Sequence, residues 1–225
     1  DNTTPVDVNL FHLDLSDKLM SPDILFEDFD PRLLPNFDLN IEKLSFNQDD
    51  LGNLRFEFRS DEEKVAFNRI DGELLSLKIK SSGIQSSDFF WFYDGSVHRS
   101  KFTGLISIGK IEEFFDVFEV SPPLDSESGE LLFSVDWDDK PWEIRKDNAM
   151  GELQIDLYKG SFYNSSTGAN TALKLVSLFN FANWLKRLRL DFSDVIDENL
   201  PYDHLSGAVK FNNGLAEFKK PLEMS

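Results

Sequence analysis

The chain has 225 residues, 40% of them apolar, with 22 Phe against 4 Trp and 4 Tyr. This apolar content is sufficient for a hydrophobic core, which excludes wholesale disorder. Asp and Glu outnumber Lys and Arg by 41 to 23, which gives a net charge of −18. Nucleic acids and anionic membrane surfaces are bound through clustered basic side chains, so neither is expected as a partner.

Two further features of the sequence bear on the location of the protein. Cys is absent, which excludes disulfides and Cys-containing metal sites and is compatible with an oxidising space such as the bacterial periplasm. No stretch approaches the roughly 20 apolar residues that a membrane-spanning helix needs. Because the sequence begins at Asp1 without a Met or a signal peptide, we expect residues 1–225 to be a single fragment of a larger protein.

Alternation of apolar and polar residues predicts strands along most of the chain. The period of two is clear at Leu54, Phe56 and Phe58, which alternate with Arg55 and Glu57. The same pattern predicts strands, in chain order, at residues 6–10, 37–41, 54–58, 75–79, 131–137, 153–157, 188–192, 209–211 and 216–218. A turn at residues 212–214 separates the last two and predicts a hairpin, because Asn and Gly tolerate the positive φ of a tight turn.

Helical spacing replaces the alternation in two segments. Residues 110–119 place one Ile and three Phe on one side, with acidic residues opposite. Residues 169–187 carry a longer apolar stripe, formed by Leu173, Val176, Phe179 and Leu185. These patterns predict one or two amphipathic helices in a chain that is otherwise mainly β.

The alternation leaves two architectures open. An antiparallel sheet with one apolar face forms either an open, curved surface or one layer of a closed sandwich or barrel. The pattern alone favours the closed forms, since they are more common. The excess of Phe indicates either a Phe-rich core or an apolar surface for a ligand that needs no hydrogen bonds, such as an acyl chain.

The residues that catalysis or metal binding would need do not converge in the sequence. His12, His98 and His204 are far apart. Asp136, Asp138 and Asp139 lack the ordered spacing of a calcium loop, and we interpret them as charges on a solvated strand edge that discourage edge-to-edge pairing. Phosphate loops, dinucleotide fingerprints and nucleophile elbows are also absent from the sequence. We therefore expect no enzyme activity, no cofactor and no metal.

Several segments match a family pattern. From residue 151 onwards they are Gly151-Glu152-Leu153, Leu178-Phe179-Asn180-Phe181, Lys186-Arg187-Leu188-Arg189-Leu190-Asp191-Phe192, Tyr202-Asp203-His204-Leu205-Ser206-Gly207 and Asn213-Gly214, and upstream Asp30-Pro31, Leu34-Pro35 and Val135-Asp136-Trp137. These motifs resemble the C-terminal portion of YhdP-like proteins, which belong to the AsmA-like family of bacterial envelope proteins. Asn199-Leu200 stands where the family has a Gly after the Leu-Asp-Phe segment.

The resemblance implies a long curved antiparallel sheet that forms an apolar groove. It further implies a monomeric protein of the Gram-negative periplasm, anchored in the inner membrane by a segment outside this chain, that carries phospholipid towards the outer membrane. Its partners would be phospholipid acyl chains and the two membranes. The sheet would have approximate layers at residues 1–100 and 101–225, and the helix with Leu173, Val176, Phe179 and Leu185 would cover the groove.

The groove-lining positions expected on this basis are the apolar members of the alternating rows. They are Phe56, Phe58, Phe133, Val135, Leu153, Ile155, Leu157, Leu188, Leu190, Phe192, Phe211 and Phe218. Two other functions remain open. An envelope scaffold would bind other proteins along its sheet edges, and a glycan hydrolase would need two carboxylates at a fixed separation.

Overall fold

The computed structural model describes residues 4–15, 30–80, 87–113, 124–145, 147–162 and 200–225. The described chain is built almost wholly from strands. Their bounds are β1 Val6–Leu10, β2 Leu13–Leu15, β3 Phe37–Phe46, β4 Asp49–Ser60, β5 Lys64–Leu74, β6 Leu77–Ile79, β7 Asp88–Tyr93, β8 His98–Ile108, β9 Ser128–Trp137, β10 Ala149–Phe162, β11 Leu200–Asn212 and β12 Leu215–Met224. A short 3-10 helix, Pro31–Leu33, precedes β3.

All twelve strands belong to one sheet. Its order is β1-β3-β4-β5-β6-β8-β9-β10-β11-β12, with β2 beside β3 and β7 between β5 and β8. Among the strands that the structure describes, β1 and β12 lie at opposite ends of this order and are not paired with each other. The mainly β class is therefore confirmed, and the described strands form neither a closed barrel nor a second sheet.

The sheet differs from the expected arrangement in one respect, because it is mixed rather than wholly antiparallel. β1 and β2 both run parallel to β3, in registers that place Val6 opposite Phe37 and Leu13 opposite Leu44. Parallel neighbours need a long crossover instead of a hairpin. That connection falls between β2 and β3, where the sequence shows no alternation from which the pairing could be inferred.

Most of the predicted strands are confirmed, as is the hairpin between β11 and β12. Asn213 and Gly214 have φ values of 45° and 89°, as a tight turn requires. The strand predicted at residues 75–79 begins two residues too early, because Leu75 adopts a φ of 55° and lies in the turn before β6, which starts at Leu77. The predicted strand at 188–192 and the helix at 169–187 lie outside the described residues. Of the segment 110–119 only 110–113 are described, with 111–113 as helix.

The two faces of the sheet differ in chemistry. Directly opposed residues in neighbouring strands point to the same side, and here the apolar residues of one strand lie opposite those of the next. Phe133 in β9 lies opposite Gly104 and Leu153, and Leu131 lies opposite Ile106 and Ile155. The alternation in each strand is thus kept in phase across the sheet. We call the resulting sides the apolar face and the polar face. No helix within the described ranges is long and apolar enough to cross a membrane.

Candidate functional site

A row of phenylalanine rings crosses the apolar face at right angles to the strands. The register places Phe37, Phe58, Phe67, Phe89 and Phe102 opposite one another in β3, β4, β5, β7 and β8. We call these five residues the Phe row. Successive ring centroids are 4.6, 5.2, 5.5 and 5.9 Å apart, and Phe102 continues the contact to Phe133 at 4.7 Å. The rings therefore form a continuous aromatic track across successive strands.

Burial divides the apolar face into two parts. On β3, β4, β5 and β7, most rings of the Phe row and the neighbouring Phe56 are only half-buried, while Phe58 is 2% exposed. The apolar side chains that β9, β10 and β11 direct to this face are buried, and Leu157 has no exposed surface. The accessible part of the apolar face is therefore formed by the half-buried rings on β3, β4, β5 and β7, while Val65 and Trp91 on the same strands are buried.

Two irregular segments fold over the apolar face at the strand ends. The connection from β9 to β10 crosses β8, where the Ser100 hydroxyl donates to the Asp139 carbonyl at 2.9 Å. It brings Trp142 to within 5.5 Å of Trp91 on β7. At the other end, the segment before β9 passes over β10 and β11, where the Tyr202 hydroxyl donates to the Asp125 carbonyl at 2.5 Å.

The polar face carries ion pairs between neighbouring strands. Arg59 lies 2.6 Å from Asp38 and 3.3 Å from Glu57, and Glu57 lies 2.7 Å from Arg69. Asp136 is shared by Arg99 and Lys101 at 3.2 and 3.6 Å. Such exposed pairs contribute little to stability individually. Their consequence is that this face stays in water while the other face is left for apolar contacts.

The position of Asp136 corrects one interpretation of the sequence. This residue lies in β9, which is paired on both sides, so its charge does not protect a sheet edge. It belongs to the cross-strand pairing of the polar face, whereas Asp138 and Asp139 follow in the connection to β10. The described residues contain no group of three or more His, Cys, Asp or Glu side chains that could hold a metal ion.

The three histidines occupy separate environments. His12 Nε2 donates to the Ser45 hydroxyl at 2.9 Å, because that hydroxyl donates to Asp14 at 2.7 Å. His204 lies on the polar face, 3.0 Å from Asp156. These contacts tie neighbouring segments of the sheet together.

The half-buried imidazole of His98 packs against the rings of Trp91 and Tyr93. Burial, followed by the positive charge of Lys140, lowers the pKa of its imidazole below the ordinary value. The Trp91 indole N–H donates to its Nδ1 at 3.0 Å, an interaction that requires this nitrogen to be unprotonated. The geometry and the pKa shift agree that His98 is neutral in the folded protein.

The structure brings a large share of the predicted groove positions to one face of one sheet. Phe56, Phe58, Phe133, Val135, Leu153, Ile155, Leu157 and Phe211 lie on the apolar face. Phe218 lies in β12 opposite Val209. The remaining predicted positions, Leu188, Leu190 and Phe192 with the helix positions Leu173, Val176, Phe179 and Leu185, fall outside the described residues.

The sequence reasoning missed most of the Phe row as a site. Phe37 had been placed in a strand but not in the groove, and Phe67, Phe89 and Phe102 were not assigned to strands at all. The signal for Phe102 was present, since it alternates with Lys101 and Thr103 and leads to Gly104 and Ile106. Phe89 is harder to recognise because it opens a run of consecutive aromatic residues.

The chain is similar to a known protein family over nearly its whole length. A family model described as YhdP protein matches residues 1–224. The protein named intermembrane phospholipid transporter YhdP, from Escherichia coli strain K12, is 23% identical over 130 residues, which are 58% of this chain and 10% of that protein. The chain thus spans about a tenth of the length of this curated relative. No solved structure matches the chain.

Proposed function

Because the chain belongs to the YhdP family, we propose that its sheet contributes part of an apolar path along which phospholipid moves through the periplasm between the inner and outer membranes. The chain would act as a non-enzymatic segment of a longer protein that is anchored in the inner membrane elsewhere. The relative that carries the name of an intermembrane phospholipid transporter supports this assignment. The Phe row is the observation in this chain that supports it most directly.

The Phe row suits acyl chains because its rings are contiguous, all but the buried Phe58 are half-buried, and none carries a hydrogen-bonding group. Each methylene group removed from water contributes about 0.8 kcal/mol. Neighbouring rings of the same kind offer nearly equal contact energies, so a chain that leaves one ring reaches the next without a deep minimum. This even spacing favours sliding over tight binding at one place, and it requires no bond making or breaking.

The burial pattern divides the predicted groove positions between two roles. Phe56 is half-buried beside the Phe row and would contact acyl chains directly. Phe58, Phe133, Val135, Leu153, Ile155, Leu157 and Phe211 are buried and would support the surface from within. The path in this segment would therefore follow β3, β4, β5 and β7.

An envelope scaffold that binds other proteins along its edge is the alternative, and one observation favours it. Among the strands that the structure describes, β1 is an outer strand, and its sequence VDVNL contains a single charged side chain and no Pro. Edge strands of this kind pair readily with a strand from another chain, because charges and Pro are the usual protection. A scaffold would thus use the edge at β1, whereas lipid transport would use the apolar face.

Photocrosslinking in living cells separates the two functions. A photoreactive amino acid is placed in the full-length protein at Phe56 or at Phe67, and at Arg55 as the matched control. Arg55 is adjacent in β4 but points to the polar face, where it lies 3.4 Å from Asp71. Lipid transport predicts phospholipid adducts at both Phe positions and none at Arg55. Protein adducts in place of lipid would favour the scaffold, and equal lipid labelling at all three positions would contradict the path.

A further inference from the structure

The apolar face changes in character along the strands as well as across them. The C-terminal end of β7 carries Tyr93 and Trp91 on this face, and Phe89 lies further in. The C-terminal end of β9 carries Trp137, and Val135 and Phe133 lie further in. The register sets Trp91, Ser100 and Trp137 opposite one another, one row outside the Phe row. Trp142 packs against this row from the β9–β10 connection. We call Trp91, Tyr93, His98, Trp137 and Trp142 the tryptophan rim.

The polar atoms of the tryptophan rim point towards the strand ends. The Trp91 indole N–H donates to His98 Nδ1 at 3.0 Å, and the Trp137 indole N–H donates to the Lys140 carbonyl at 2.8 Å. Two cations stand over the outer rings, since Lys140 Nζ is 5.9 Å from the centroid of Trp142 and the Arg32 guanidinium is 4.9 Å from that of Tyr93. Trp91 and Trp137 are 5% and 4% exposed, so they support the rim from within, and its accessible part is formed by the half-buried Tyr93, His98 and Trp142. Rings with one apolar and one polar end, flanked by cations, are the arrangement found at boundaries between hydrocarbon and water.

The opposite end of the same face is aliphatic. The register aligns Leu74 and Leu77 with Ile108, and Leu157 with Leu205. Of the aromatic residues there, Tyr202 is 4% exposed and uses its hydroxyl within the fold, and Phe46 packs in the same apolar cluster as Leu74. All the described Trp side chains therefore lie at one end of the apolar face, and polarity falls from that end towards the other.

We propose that the half-buried members of the tryptophan rim, Tyr93, His98 and Trp142, hold the glycerophosphate headgroup of a phospholipid, whose acyl chains extend over the Phe row towards the aliphatic end. This inference rests on the proposed function and adds an orientation to it. Lys140 supplies the positive charge for the phosphate, because its ion pair is the looser of the two: its Nζ lies 4.0 Å from Glu143, whereas the Arg32 guanidinium lies 2.7 Å from Asp30. On β5 the strand spans roughly 30 Å from Val65, which lies opposite Trp91, to Leu74 at the aliphatic end, longer than the ~15 Å that the chains of one leaflet occupy.

The test determines which end of the lipid is captured at each end of the face. Cells grown with radioactive phosphate express the full-length protein with a photoreactive residue at Trp142, at Phe67 or at Leu77. After irradiation the protein is denatured and treated with phospholipase C, which cuts between glycerol and phosphate. A lipid attached through its acyl chain loses the label, while a lipid attached through its headgroup keeps it. A free phosphate ion trapped at the rim would carry label but no acyl chain before treatment, as mass spectrometry shows.

The orientation predicts that adducts at Trp142 keep most of their label and that adducts at Phe67 and Leu77 lose it. Tyr93 is the second rim position, used if the substitution at Trp142 lowers the amount of folded protein. Lys140→Glu should reduce the label kept at the rim several-fold and leave the Phe67 adducts unchanged. Label kept at Leu77 and lost at Trp142, or lipid captured at Phe67 with none at either rim position, overturns the orientation alone. Absence of lipid at all positions overturns the proposed function with it.

Discussion

Phe58 and Phe56 lie two residues apart in β4 and face the same side, yet truncating each to Ala should have different consequences. Phe58 is 2% exposed, stacks on Phe37 at 4.6 Å and meets Phe67 edge-on at 5.2 Å. Removing a buried Phe side chain costs about 3–5 kcal/mol, because a cavity remains. Phe56 is half-buried, and full burial of such a side chain contributes about 1.5–3 kcal/mol. Phe56→Ala should therefore cost only about 1 kcal/mol.

Urea denaturation of the 225-residue chain, followed by far-ultraviolet circular dichroism, measures both values under the same conditions. We expect Phe58→Ala to lower the free energy of unfolding by at least ~2 kcal/mol more than Phe56→Ala does. In the photocrosslinking assay, Phe56→Ala should reduce lipid capture at Phe67 although the fold is retained. Equal costs for the two substitutions would refute the division of this face into a buried support and an accessible contact surface.

Three further predictions follow from individual contacts. Gly95→Ala should lower the free energy of unfolding by about 1–2 kcal/mol, since φ is +101° and no atom lies close to the new Cβ. Gly52→Ala should lower it by more than ~3 kcal/mol, because its Cβ would overlap the Glu73 carbonyl oxygen. Equal midpoints of the two variants in thermal unfolding would contradict this difference. Ser45→Ala should raise the lowered pKa of Asp14, because the Ser45 hydroxyl is the main cause of that shift, and carboxyl titration by NMR measures the change. The pKa of His98 is lowered from 6.5 in the folded state, so its contribution to stability is present above pH 6.5 and is lost as the pH falls below it; His98→Gln should flatten this part of the profile of unfolding midpoint against pH, and an unchanged profile would exclude His98 as its origin.

The strands could be predicted from the sequence where alternation is uninterrupted. β9 and β10 each keep one side apolar over many residues, so their location and their buried face both follow from the pattern. Alternation is a local property, however, and it does not state which strands become neighbours. The parallel pairing of β1 with β3 could not be predicted because it depends on the crossover between them.

The register of the Phe row was hidden for a similar reason. Arg69 adopts a φ of 51°, and the pairing of β4 with β5 shifts between Arg55 and Glu57. An irregularity of this kind moves every later residue relative to its neighbour by one position. Phe58 and Phe67 lie between this irregularity and the hairpin that joins β4 to β5, so they remain directly opposite each other. The position of the irregularity cannot be inferred from the spacing of residues along the sequence.

The two parts of the apolar face set a boundary for the proposed lipid path. On β10 and β11, Leu157 and Leu205 are 0% and 1% exposed, so an acyl chain could reach them only by displacing the groups that now bury them. Uncovering each large side chain costs about 1.5–3 kcal/mol, and many such residues lie side by side there. The half-buried rings on β3, β4, β5 and β7 need no such opening. An acyl chain on this segment would therefore stay on the Phe row as far as Phe102, and β8 is the strand at which further passage would require the face to be uncovered.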